Sequence, residues 1–396
     1  MQRHTRRFTA AAVFAGIAVL ATGCASTAAE GAAPSTEAMT TTERIAVTYP
    51  NGIAVLDGTT LETVKEFETE KFTRVNPFGD GHTIAVTTSR GFQLLDTEKP
   101  ALTDLTIPAT TAGHVVAHDG KTLLYDDGTG GTTILDTGAF SGGYASVPTG
   151  DRHQAVSAHH GVSIALKDGT LLTTVGDKTA RTGAEALRAK DGDWEQTAVN
   201  AQCPGIHGEG TAQGDAAVFG CEDGALLYKD GAFTKFAAPA AYGRMGNAFV
   251  SPTSPIVVGD YKKDRDAEGY LLDAVTLIDT TASTYRVVDL PPAVQYTFRD
   301  VARGPGDFAY ILATDGSIHV LDPSSGEITR SFPVVEPWQG PAEWQDPHPA
   351  IKIRGDIAYV TEPAANRVHV VDLASGKILT TARLKHTPNE IAIASD

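Results

Sequence analysis

The chain has 396 residues, 41% of them hydrophobic and 20% charged, which is ample apolar content for a sizeable core. Forty-eight acids against 32 bases give a formal charge of −16. Such a surface repels phosphate backbones, which argues against nucleic acid as a partner, and it suits cations.

The first segment is not core. "MQRHTRRF" supplies a basic start, "TAAAVFAGIAVLA" a short apolar run, and "ATGC" places Cys24 after small residues. This resembles a bacterial lipoprotein signal, with residues 1–23 removed and Cys24 lipidated as the new N-terminus. Leu20 stands one place further from Cys24 than such signals usually have it, so plain secretion stays open. The apolar run is too short for a transmembrane helix, and the only membrane contact expected is the lipid anchor on the outer face of the plasma membrane. Loss of Arg3, Arg6 and Arg7 with the signal takes the formal charge from −16 to −19. Residues 24–43 are small, polar and free of aromatics, and read as a flexible tether.

From residue 44 to 396 one unit recurs: strand, Gly/Asp turn, strand, turn, and a third strand ending in a hydrophobic–Asp pair. The third strands are "GIAVLDG" (52–58), "GFQLLDT" (91–97), "TTILDT" (132–137), "AEALRAKDG" (184–192), "ALLYKDG" (225–231), "VTLIDT" (275–280), "IHVLDP" (318–323) and "VHVVDL" (368–373). Short β-branched strands at this period predict an all-β fold, a β-propeller of eight blades. Seven blades is the alternative, with "GAEALRAKDGDWEQ" as an insertion. The unit that starts at "ERIAVTYP" (43–50) lacks an innermost strand, and "TPNEIAIASD" (387–396) is an innermost strand with no blade after it. The last strand therefore completes the first blade and closes the ring.

The first strand of each blade lines the channel. Aligned on the turn that follows it, three consecutive blades begin with histidine: His114 in "GHVVAHDG", His159 and His160 in "HHGVSIALKDG", and His207 in "IHGEGTAQGD". Imidazoles from neighbouring blades at one level suit zinc, with a water, carboxylate or fourth histidine completing a tetrahedron. Glu209 is placed to be a ligand or an acceptor that orients an imidazole. His118 lies deeper on the strand of His114, His153 in a preceding loop, and His348 and His386 farther around the ring. The competing reading is that these are polar residues on a wet channel wall. Linear metal motifs such as His-Glu-x-x-His and Cys-x-x-Cys are absent. In an exported, oxidising setting Cys203 and Cys221 can form a disulfide; two buried thiols is the alternative.

The blocks "GHVVAHDG", "HHGV", "CPGIHGE…GCEDG" and "HTPNEIA" resemble the AztD family of exported zinc metallochaperones, over roughly residues 44 to 396. The resemblance implies a propeller that binds Zn²⁺ and hands it to the solute-binding protein of a zinc ABC importer. It places the metal site on His114, His160 and His207 first, then His118 and His159. Some members carry a His/Asp-rich N-terminal segment, whereas the segment 25–43 has no histidine. Two other function classes stand beside this one. A propeller enzyme of lactonase or dehydrogenase type is one, although no nucleophile elbow and no dinucleotide glycine motif occurs. A metal-free interaction scaffold is the other.

Overall fold

The computed structural model describes residues 43–394. The expected signal peptide, Cys24 and the tether up to residue 42 lie outside the described residues. Glu43, read as the end of the tether, is tied to the folded part, since its Oε1 accepts Arg354 Nη1 at 2.8 Å.

Among the described residues the strands form eight sheets, each with four antiparallel strands in one radial series, and Gly243–Arg244 adds a short parallel pairing to one of them. They are the blades of one β-propeller. Blade 1 takes its inner strand from the other end of the chain. Ile391–Ile393 pairs with Arg44–Tyr49, Ile45 facing Ile393 and Val47 facing Ile391. Thr48 and the pair Asn389/Glu390 extend the ladder by backbone bonds of 2.8 Å. The stretch Arg181–Lys190 is a strand and pairs on both sides within blade 4, which excludes the seven-bladed alternative.

The hydrophobic–Asp strand ends have a local cause. In blades 1, 2, 6, 7 and 8 the aspartate folds back onto the turn that leaves the third strand. Asp57 Oδ1 accepts the Thr59 and Thr60 amides at 3.0 and 2.9 Å, and Asp96, Asp279 and Asp322 likewise accept amides of their own turns. The carboxylate replaces the missing ladder bonds at the turn, as in an Asx-turn. The two apolar residues before the aspartate point to opposite faces of the blade and are buried against the two neighbours, in blade 2 Leu94 toward blade 3 and Leu95 toward blade 1. Between blades 4 and 5, for example, Val162, Ile164 and Leu172 meet Ile206, Phe219 and Leu226, all 2% exposed or less. Each such side chain contributes about 1.5–3 kcal/mol. Stacking blades face to face leaves the inner-strand starts around one mouth of the channel.

Candidate metal centre

At that mouth three blades present one imidazole each. His114 is on the inner strand Ala112–His118 of blade 3. His160 precedes the inner strand Ser163–Ala165 of blade 4, and His207 opens the inner strand His207–Ala212 of blade 5. Their ring centroids lie 5.2, 5.0 and 5.1 Å apart, a nearly equilateral triangle. One nitrogen from each ring lies within 4.8 Å of the other two. His160 and His207 face each other Nε2 to Nε2 at 3.0 Å.

The local backbone is built for this. Gly208 has a positive φ of 66° and sits in a bulge where the register slips between His207 and Glu209. A Cβ there would stand 2.4 Å from the Gly246 carbonyl oxygen. The bulge lets His207 and Glu209 both turn to the channel. Gly113 has a similar reason: a Cβ there would meet Asp127 Oδ1 at 2.4 Å.

Each ring is held from behind at Nδ1. His114 Nδ1 lies 3.1 Å from Glu209 Oε1, His160 Nδ1 2.5 Å from Asp127 Oδ2, and His207 Nδ1 2.5 Å from the Gly246 carbonyl. Carboxylates and carbonyls only accept, so all three Nδ1 atoms carry protons and donate. In the neutral rings the three Nε2 atoms are left with lone pairs. Between His160 and His207 this sets lone pair against lone pair, which a cation relieves. Two nitrogens bound tetrahedrally at 2.0–2.1 Å stand about 3.3 Å apart, so the rings need to open by only a few tenths of an ångström.

The charges agree. Burial, then the neighbouring His114, keeps His207 far below the ordinary imidazole range and so neutral. Burial also works against a charge on His114, but the Glu209 carboxylate outweighs it and raises its pKa; Arg74 opposes that rise. Glu209 is itself held below the usual carboxylate range, because His114 overcomes the cost of burial.

A further layer fixes the acceptors. Asp127 Oδ1 accepts the Gly161 amide at 3.2 Å, so one carboxylate positions both the ring and the backbone of the His160 turn. The buried Asp260 accepts the Gly246 and Asn247 amides at 2.5 and 3.0 Å, which aims the Gly246 carbonyl. Cys203 and Cys221 are joined by a disulfide and fully buried. Cys221 adjoins Gly220, the ladder partner of His207, and its carbonyl accepts the Met245 amide. The bridge therefore ties the His207 strand to the segment that supplies its acceptor.

The structure brings together His114, His160 and His207, and not His118 or His159. His118 sits at the far end of its strand, with Nε2 on Asp215 Oδ1 at 2.6 Å and Nδ1 on Thr211 at 3.0 Å, so both nitrogens are occupied. His159 is 4% exposed and turned away from its neighbour, toward Tyr125 and Thr174. Consecutive residues in extended chain point to opposite sides. Glu209 takes the orienting place rather than a corner of the triad. His153 is buried against Trp194, His348 Nδ1 donates to the Asp346 carbonyl oxygen at 2.7 Å, and His386 stacks on Tyr49. Sequence reading missed Asp127, Gly246 and Asp260. Only Asp127 left a trace, as the second acid of "YDDG", one more than the turn uses.

No protein-family model matches the chain. The zinc chaperone AztD of Citrobacter koseri is 26% identical over 299 residues, which is 75% of this chain and 69% of that protein. Two solved structures of the same C. koseri protein, one of them the apo form, align with a TM-score of 0.68 at 23% and 22% identity, over 88% of this chain and 96% of theirs. The dihydro-heme d1 dehydrogenase NirN aligns with a TM-score of 0.59 at 12% identity, over 89% and 75%. These structural likenesses are of fold. With the sequence relation, they bear out the resemblance to the AztD family.

Proposed function

We propose that the chain is an exported zinc metallochaperone that binds Zn²⁺ through His114, His160 and His207 and passes it to the solute-binding protein of a zinc ABC importer. The observation that carries the metal reading is the set of three Nδ1 atoms tied to acceptors, which aims three Nε2 lone pairs at one point. Neutral imidazoles in tetrahedral sets suit zinc. The C. koseri relative bears the name of a zinc chaperone, which supports a carrier rather than an enzyme. Transfer needs a ligand that a partner can reach, and the His160 side chain is 45% exposed. Export is supported by the disulfide, which suits an oxidising compartment. Anchoring through lipid on Cys24 rests on the sequence.

Metal analysis and competition against a zinc-chelating dye test the site. The parent should hold zinc, and His114→Ala, His160→Ala and His207→Ala should each weaken it. His319→Ala and His369→Ala, in third strands away from the channel, should leave it unchanged. Mixing the zinc-loaded protein with a zinc-free solute-binding protein of a zinc ABC importer tests delivery. A parent without zinc ends the metal reading; a loaded parent that never passes zinc on ends the chaperone reading alone.

A further inference from the structure

Arg74 occupies, in blade 2, the position that His114 occupies in blade 3. Val75 pairs with Val86 across the first hairpin of blade 2, and Val115 with Leu124 in blade 3. The strand-end aspartates put these pairs in register, because Thr83 faces Asp96 and Lys121 faces Asp136, three residues before Val86 and Leu124. Arg74 and His114 are each one residue before the matching valine. The same count places Glu390 there in blade 1, where Val47 pairs with Ile391 and Arg44 with Asp57. Glu390, Arg74 and His114 thus follow one another around the mouth at one level.

The Arg74 side chain is held in place. Its Nε donates to both Glu390 oxygens at 3.1 and 3.3 Å, and its guanidinium lies 5.8 Å from the Trp344 ring centroid. Glu390 also faces Arg299 at 3.3 Å. One carboxylate between two guanidiniums leaves this edge of the mouth positive, in a chain of formal charge −16. The two Nη groups of Arg74 make no hydrogen bond to the described residues, and the side chain is 42% exposed.

A fixed cation next to a dication site is unfavourable unless an anion stands with them. Zinc on three neutral imidazoles brings two positive charges, and Glu209 and Asp127, bonded to the rings, balance them. The excess charge of the Arg74–Glu390–Arg299 group remains. Three imidazoles also leave a tetrahedral ion one position to fill. A carboxylate answers both needs, since one oxygen can bind the metal while the other accepts from a guanidinium fork. We infer that the fourth position on the triad metal takes a small carboxylate anion, and that Arg74 holds this anion through its Nη groups. The inference rests on the metal-binding reading of the triad.

The test uses the protein loaded with Co²⁺, whose visible bands report its coordination. Acetate is titrated at constant ionic strength, with perchlorate as the balancing salt. The parent should show a saturable spectral change. Arg74→Gln should bind cobalt but need about tenfold more acetate, the loss of one charge-assisted contact. Arg74→Lys, which keeps the charge and loses the fork, should fall between, and it replaces Arg74→Gln if that variant melts early. Cobalt bound with no response to acetate would mean that the fourth position is filled from within the chain, and the inference fails. Equal acetate affinity in parent and variants removes Arg74 from the role. A parent that binds neither cobalt nor zinc overturns the metal-centre reading first, and the inference with it.

Discussion

Asp127→Asn changes one atom and tests how the triad is tuned. In the parent, Oδ2 takes the His160 Nδ1 proton at 2.5 Å and Oδ1 takes the Gly161 amide at 3.2 Å. An asparagine has one oxygen for two donors. If its amide nitrogen faces the ring, Nδ1 must accept, the proton moves to Nε2, and zinc has to displace it. If the oxygen faces the ring, a neutral acceptor replaces a charged one and the Gly161 amide meets another donor. Hydrogen bonds to charged groups are worth about 1.5–3 kcal/mol against about 1 kcal/mol for neutral ones. The expected loss is about 10–100-fold in zinc affinity, or roughly 1.4–2.8 kcal/mol. Dye competition at pH 7.5 measures it, with thermal melting as the check on folding. A variant that melts with the parent and binds zinc within about twofold of it would refute the claim that these acceptors set the tautomers.

Three further outcomes are expected. Cys203→Ser with Cys221→Ser should lower stability by about 3 kcal/mol, the chain-entropy value for a loop of this length, and weaken zinc binding through His207; denaturant unfolding and dye competition read the two effects. Glu390→Gln should destabilise the ring by about 3 kcal/mol or more, because Arg299, with a side chain 6% exposed, loses its ion-pair partner beside the closing strand; a thermal midpoint equal to the parent's would count against this. Zinc binding should release a proton wherever His114 is still protonated, since Glu209 raises its pKa above the ordinary 6.5. Affinity should therefore begin to fall as pH drops through that raised value, and in the metal-free protein the stabilisation from protonated His114 should be full below 6.5 and lost as pH rises through the raised value. Calorimetry in buffers of different ionisation enthalpy counts the proton.

What could be read from the residues alone was whatever repeats or acts locally. Most strand ends share a hydrophobic–Asp pattern because the aspartate serves the turn next to it, as Asp57 serves Thr59 and Thr60 and Asp96 serves Glu98 and Lys99. Blade count followed even through "GAEALRAK", whose helix-forming residues are overruled by pairing on both sides. The level of His114, His160 and His207 was also legible, since each stands near the start of an inner strand. Other features depended on contacts between blades. His159 and His160 are neighbours with the same side chain, and only the path of the loop decides that one packs on Tyr125 while the other enters the triad. Asp127 reaches His160 across 33 residues, and the Gly246 carbonyl reaches His207 across 39. Such acceptors carry no local signature, because a carboxylate or a backbone carbonyl is present everywhere along a chain. It becomes specific only when the closed ring sets it within hydrogen-bond distance of one ring nitrogen.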